Sequence, residues 1–338
     1  MQQIRWASLL LLVAIVFKCH ASDSAFISSF RNPFLPKPEE PVIDTSKGQP
    51  FLDSLNLKSS LEPKVLYTEP KQFFDVATAF MPFILRRGSG SFAEGYRINI
   101  VPRDDTKYSF ARIGKYQLSE TCDRDSAPVM NRSPVIIYEF EGCPFCRKVR
   151  EAVSILSLDV EFRPCAQGSM WRKEIKTKYG KMATFPFMTD PNTGVEMFES
   201  NDIIEYLWRL YGCGNVPDSL TSTFTPVTAG IGLLFRIGKG NKVRSSDPPE
   251  KPLILWSGEG SPYSKLVKET LCELDISYIQ RSCPRGSPNR QLMFEKTGRF
   301  QIPFLEDPNR DVQLFESSAI IEYLEKVYSL EKPKVEYM

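Results

Sequence analysis

Histidine is almost missing from this chain. The single copy in 338 residues is His20, in a stretch read below as cleaved. Without an imidazole, Cys-His and Ser-His-Asp catalysis are excluded for the mature protein. A zinc site would need a second cysteine pair or histidines beside the first. Only Cys143 and Cys146 are closely spaced; Cys122, Cys165, Cys213, Cys272 and Cys283 are solitary. No metal is therefore expected. A long basic run is also lacking and net charge is +2, which argues against nucleic acid as a partner. The odd number of cysteines left after cleavage, irregularly spaced, is not a disulfide framework.

What is present begins with a targeting pattern. Arg5 precedes the apolar run Trp6 to Phe17, and Cys19-His20-Ala21 supplies small residues at a cleavage site, so residues 1–21 read as a signal peptide. The run is too short to span a bilayer comfortably, and no stable membrane span is expected in the mature chain. Residues 22–64 are Ser-rich and then Pro-rich. They read as a transit-like segment and a linker without a fixed fold. A signal followed by Ala25-Phe26 resembles the two-part targeting sequence of algae with secondary plastids; the ER or secretion is the alternative. Residues 65–130 read as an N-terminal extension without assigned chemistry. Within it Phe73 to Leu85 suggests a short helix interrupted by Pro82, and Arg97 to Val101 a strand.

The chemistry centres on Gly142-Cys143-Pro144-Phe145-Cys146, directly after the apolar run Val135 to Phe140. A strand delivering two cysteines to the first turn of a helix favours a thiolate, because the helix N-terminus stabilises negative charge. Pro144 suits the first helical position. Arg147 and Lys148 are expected to add positive charge nearby. Cys143 is then the attacking thiol and Cys146 the resolving one. A Cys-x-x-Cys taken alone also fits half a zinc site or an inert pair.

The chain repeats itself. Residues 135–211 match 253–328: Cys165 faces Cys283, Phe185-Pro186-Phe187 faces Ile302-Pro303-Phe304, and Phe198-Glu199-Ser200 faces Phe315-Glu316-Ser317. A weaker echo pairs Ala79 to Gly90 with Ala229 to Gly240. These apolar segments read as packing against a neighbouring domain, with membrane contact as the competing reading. Apolar periodicity within each copy gives the order β-α-β-α-β-β-α, with a last helix capped by Ser200 in the first copy. The β-α-β start implies parallel strands and the Asp-Pro-Asn turn a hairpin.

That order, with Cys-Pro-Phe-Cys after the first strand, a Pro before the third and Glu-Ser at the last helix, resembles the thioredoxin fold. More narrowly it resembles glutaredoxins and the N-terminal domain of glutathione transferases, and the tandem is similar to doubled proteins of this type in plastid-bearing organisms. The implied class is α/β, with two tandem thioredoxin-like domains over residues 133–214 and 251–330 joined by a linker over 215–250. The resemblance implies that Pro186 and Pro303 are cis. It implies that Phe185 and Ile302 offer their backbone to the cysteinyl part of glutathione. It implies that Glu199-Ser200 and Glu316-Ser317 hold the γ-glutamyl end; a plain helix cap explains each Glu-Ser equally well. The second copy has Ser261-Pro262-Tyr263-Ser264, which cannot form a disulfide there. It is expected to bind glutathione without redox chemistry or to be structural. The helical domain that follows in transferases has no counterpart after Tyr328, which argues against conjugation.

The expected function is glutathione-dependent thiol–disulfide exchange in the first domain, with glutathione as co-substrate and a disulfide or glutathionylated protein as partner. The rivals are a non-catalytic scaffold and a glutathione-dependent transferase or isomerase. Iron–sulfur ligation by Cys143 from two subunits, known in some relatives, stays open at this point.

Overall fold

The computed structural model describes residues 45–57, 72–123, 133–222, 225–236 and 238–331. The signal-peptide reading of residues 1–21 lies outside them. The first elements are helix α1 (Thr45–Ser54), helix α2 (Phe73–Leu85) and strands β1 (Arg97–Pro102), β2 (Ala111–Ile113) and β3 (Tyr116–Thr121). Helix α1 falls in the stretch expected to lack a fold. It forms because Leu52 and Leu57 bury against the second copy, with Phe51 packed beside them, and this burial outweighs the cost of Pro50 inside the helix. Helix α2 runs through Pro82 without a break, burying Val76, Ala79 and Pro82.

The first copy follows as β4 (Val135–Glu139), α3 (Pro144–Ile155), β5 (Val160–Pro164), α4 (Met170–Tyr179), β6 (Phe187–Asp190), β7 (Val195–Met197) and α5 (Ser200–Tyr211). Two helices, α6 (Asp218–Thr221) and α7 (Thr225–Leu234), occupy the stretch expected to be linker. The second copy is β8 (Leu253–Ser257), α8 (Pro262–Glu273), β9 (Tyr278–Ser282), α9 (Asn289–Thr297), β10 (Phe304–Asp307), β11 (Val312–Phe315) and α10 (Ser317–Tyr328). The expected element order holds in both copies. Each has one parallel pair, β4–β5 and β8–β9, extended by an antiparallel hairpin.

The two copies share one sheet. Strand β5 pairs antiparallel with β9, with Glu161 opposite Ile279, so eight strands run β11-β10-β8-β9-β5-β4-β6-β7. Phe162 and Tyr278 meet across the join at 5.5 Å. Behind each hairpin a buried aspartate anchors the last helix. Asp190 accepts from Tyr206 and Tyr211 at 2.9 and 2.6 Å, and Asp307 accepts from Tyr323 at 2.6 Å and from Tyr328.

Helices α2 and α7 pack on each other and are exchanged between the halves: α2 lies on α8, and α7 on α3. The straps that follow continue the exchange. Ser91 and Ala93 pair with Arg285 of the second copy, through Arg285 N–H to Ser91 O and Ala93 N–H to Arg285 O, both 2.8 Å. Asn241 and Val243 pair in the same way with Gln167 of the first copy, at 2.8 and 2.9 Å. The echo seen in the sequence is thus packing between domains. The repeating unit starts at the apolar helix, and β1–β3 are an insertion found in the first unit alone among the described residues.

The axis between the halves is ionic. Arg147 pairs with Glu151 at 3.0 Å and Glu259 at 3.1 Å, Arg150 with Glu139 and with Glu141 at 3.2 Å, and Lys265 with Glu141 at 2.8 Å. Lys268 pairs with Glu259. Arg86 reaches Glu151 at 2.7 Å, mirrored by Arg236 on Glu269 at 2.5 Å. All are buried, and each is paired, as the desolvation cost of a lone charge requires.

Candidate functional site

Strand β4 ends at Glu139, and the turn through Gly142 hands Cys143 to the N-cap of α3. Gly142 has no room for a side chain: a Cβ there would lie 1.6 Å from Asn241 Oδ1, because the strap after α7 presses on this turn. The second copy repeats the squeeze, with Ser91 Oγ 2.5 Å from a Cβ on Gly260. Pro144 takes the first helical position, as expected.

The two sulfurs are tuned in opposite directions. Cys143 Sγ accepts from the Cys146 amide at 3.2 Å and faces the Phe185 carbonyl at 3.8 Å. Hydrogen bonding from the Cys146 side chain and amide holds the Cys143 thiol below its ordinary value, against burial and the Glu139 carboxylate, with Arg150 assisting. Burial pushes the Cys146 thiol well up, and the Cys143 and Glu139 charges add to that. The helpful cation is not the expected one. Arg147 is committed to Glu151 and Glu259, and Lys148 bonds Asn201 in the first turn of α5. Arg150 contributes instead, because the i to i+4 spacing from Cys146 puts it on the face of α3 that carries that thiol.

The peptide bonds Phe185–Pro186 and Ile302–Pro303 are cis. The Phe185 carbonyl lies against Cys143. Ser200 is not the N-cap expected from the sequence but the first residue of α5. The N-cap is Glu199, held at φ 67, and Glu316 sits likewise at φ 69 before Ser317. A left-handed φ at a non-glycine residue costs free energy and marks a backbone set by its surroundings. Glu199 is exposed, and Ser200 is buried at the helix start where backbone N–H groups point outward.

The second copy keeps the frame without the sulfur. Ser261 Oγ accepts from the Ser264 amide at 3.2 Å, the same contact as in the first copy. Its surroundings differ. The Gln301 side chain donates to the Glu316 carboxylate at 2.8 Å, and Gln301, Ile302 and Ser317 are buried. The insertion lies alongside: Tyr108 meets Phe300 edge-on at 5.3 Å, and Glu120 pairs with Arg285 at 2.5 Å. Cys165 and Cys283 are buried thiols pushed up by desolvation, unsuited to redox chemistry.

Sequence reasoning missed Arg172. Its Nε donates to the Cys165 carbonyl at 2.7 Å, and its guanidinium lies 4.7 Å from the Phe185 ring, next to the thiol site. The repeat carried the signal, since Arg172 aligns with Arg290. Among the described residues no group of three or more His, Cys, Asp or Glu side chains could hold a metal, and no helix is long and apolar enough to cross a membrane.

A sequence model of the family described as glutathione S-transferase, N-terminal domain, matches residues 137–215 and again 255–332. No curated protein and no solved structure matches the chain. The mixed α/β fold is therefore built on two glutathione S-transferase N-terminal-type domains, placed in tandem and fused through one sheet.

Proposed function

We propose that the first domain is a glutathione-dependent thiol–disulfide oxidoreductase. The observation that carries this reading is the Cys143 sulfur at the N-cap of α3, accepting the Cys146 amide while the Cys146 thiol is held protonated. A nucleophile poised as thiolate beside a thiol in reserve is what disulfide exchange requires. Cys143 attacks the glutathione sulfur of a mixed disulfide, forming a Cys143–glutathione disulfide and expelling the substrate thiolate, which takes a proton from water. A second glutathione thiolate then attacks the bound glutathione sulfur, releasing oxidised glutathione and restoring Cys143. For a protein disulfide, Cys143 forms the mixed disulfide and Cys146, losing its proton, closes the Cys143–Cys146 bond. Two glutathiones reopen it.

The Phe185 backbone is suited to pair with the cysteinyl part of glutathione. The α5 N-terminus with Ser200 is suited to its γ-glutamyl carboxylate, and Glu199 to its α-amino group. Ser261, Ser264 and the Gln301–Glu316 contact favour a structural role for the second domain, in which Ile302, Pro303, Glu316 and Ser317 hold no glutathione. Turnover of a small glutathione mixed disulfide tests the reading: Cys143→Ser is expected to abolish it, and equal rates for variant and wild type would sink it. We also propose delivery through a signal peptide over residues 1–21 toward a plastid or the ER. Mass spectrometry of the mature N-terminus checks this.

A further inference from the structure

The insertion shows what the second domain carries on its outer face. Tyr108 N–H donates to Gln291 Oε1 at 3.2 Å, and the Tyr108 hydroxyl accepts from Arg290 at 2.5 Å. The Glu120 carboxylate meets Arg285 at 2.5 Å and Arg290 at 3.5 Å. The Tyr108 hydroxyl thus sits on Arg290 at the start of α9, while the carboxylate is held chiefly by Arg285 in the preceding loop, whose counterpart in the first domain is Gln167.

The repeat identifies the same place on the first domain. Arg172 and Arg290 each donate Nε to the carbonyl of the matched cysteine, Cys165 at 2.7 Å and Cys283 at 3.3 Å. Gln291 corresponds to Lys173. Here the strap through Val243 leads on to β8 with no inserted sheet. Among the described residues no acceptor meets the terminal nitrogens of Arg172. Met182, 71% exposed, follows α4, and Lys173 and Lys176 are exposed along it. The Arg172 guanidinium covers the Phe185 ring, and the Phe185 carbonyl faces Cys143 Sγ, so a segment seated on Arg172 lies next to the thiol.

We propose that this face of the first domain docks the polypeptide substrate. Its occupant is a segment presenting a carboxylate to Arg172 and Lys173 with an aromatic ring beside it, the pair of groups that Glu120 and Tyr108 bring to Arg285 and Arg290 on the second domain. The proposal rests on the reading of Cys143 as a disulfide-exchange thiol and adds the substrate class. A basic docking helix accelerates encounter with acidic partners and loses that advantage in salt.

The test uses two glutathionylated peptides, one with Glu and Tyr flanking the cysteine and one with Gln and Ala. The full chain is compared with a Lys173→Glu, Lys176→Glu double variant. Wild type is expected to favour the acidic-aromatic peptide in kcat/KM by about tenfold at low salt. The double variant is expected to lose that preference while turning over a small glutathione mixed disulfide unchanged. Equal kcat/KM for both peptides in wild type, or a preference that survives the double variant, overturns the docking face. Fluorescence anisotropy of the same peptides, with Ser in place of Cys, on full chain carrying Cys143→Ser separates the two readings. If no mixed disulfide is turned over, the catalytic reading falls, and selective binding or its absence still decides the docking face.

Discussion

The Cys146 amide donates to the Cys143 sulfur at 3.2 Å, while burial keeps the Cys146 thiol protonated. One turn of helix thus shifts the two thiols in opposite directions. Alkylation by iodoacetamide should label Cys143 first, with a pH midpoint below that of an ordinary cysteine, near 8.5. Cys146 should stay unlabelled in the folded protein. Peptide mapping after a pH series checks both. A Cys143 midpoint at the ordinary value would remove the basis of the proposed chemistry.

Cys146 is needed only when the substrate is a protein disulfide. Cys146→Ser should keep most turnover of a glutathione mixed disulfide, because glutathione itself resolves that intermediate. It should lose turnover of a protein disulfide by about a hundredfold or more, since an intramolecular thiol has a large effective concentration. Paired assays on the two substrates distinguish this from a general loss of fold.

Restoring sulfur should not restore the second site. Gln301 bonds Glu316, and the insertion covers the neighbouring surface through Tyr108 on Phe300. Ser261→Cys with Ser264→Cys, in a Cys143→Ser background, should remain inactive on a mixed disulfide. Calorimetry of the wild type should find one glutathione per chain. Two equivalent sites would contradict the structural reading of this domain.

The ionic axis predicts a pH-dependent stability. Burial works to raise the Glu259 carboxyl, but Lys268, Arg147 and Arg150 outweigh it and hold it well below the usual range. A carboxyl depressed on folding contributes stability above its unfolded value near 4.3, and that contribution is lost as pH falls toward the folded value. Glu259→Ala leaves three buried cations short of a partner and should cost about 3–5 kcal/mol at neutral pH. Burial pushes Glu139 up to about 7 despite Arg150, with Glu141 and Glu259 opposing its ionisation. Its sign is opposite: folding favours the protonated form, so stability falls as pH rises from its unfolded value through 7. Denaturant melts between pH 2 and 8, wild type against each of Glu259→Ala and Glu139→Gln, check both signs.

Asp307 accepts two buried tyrosine hydroxyls, from Tyr323 and Tyr328. Asp307→Ala leaves both donors unsatisfied and should cost about 2–4 kcal/mol, read as a lowered denaturation midpoint. Asp190→Ala should behave alike in the first domain, because Tyr206 and Tyr211 make the same pair of bonds.

The residues by themselves determined the duplication, the strand and helix order of each copy, and the thiol pair after the first strand. These follow from local periodicity, from a Pro at the first helical position and from motifs recurring in order, all within a short span of chain. The tertiary structure decided which half each apolar helix and strap belongs to. Nothing local marks the exchange: Arg86 stays on Glu151 of the first copy and Arg236 on Glu269 of the second, while the helices before them pack on α8 and α3. It decided that β5 and β9 join two sheets into one, since edge pairing depends on which strand edges are left open. It also decided that Arg147 faces the other domain while Arg150 serves the thiol, and that only one of two matching arginines is covered by the insertion. Those outcomes depend on groups brought together from far along the chain, where spacing carries no information.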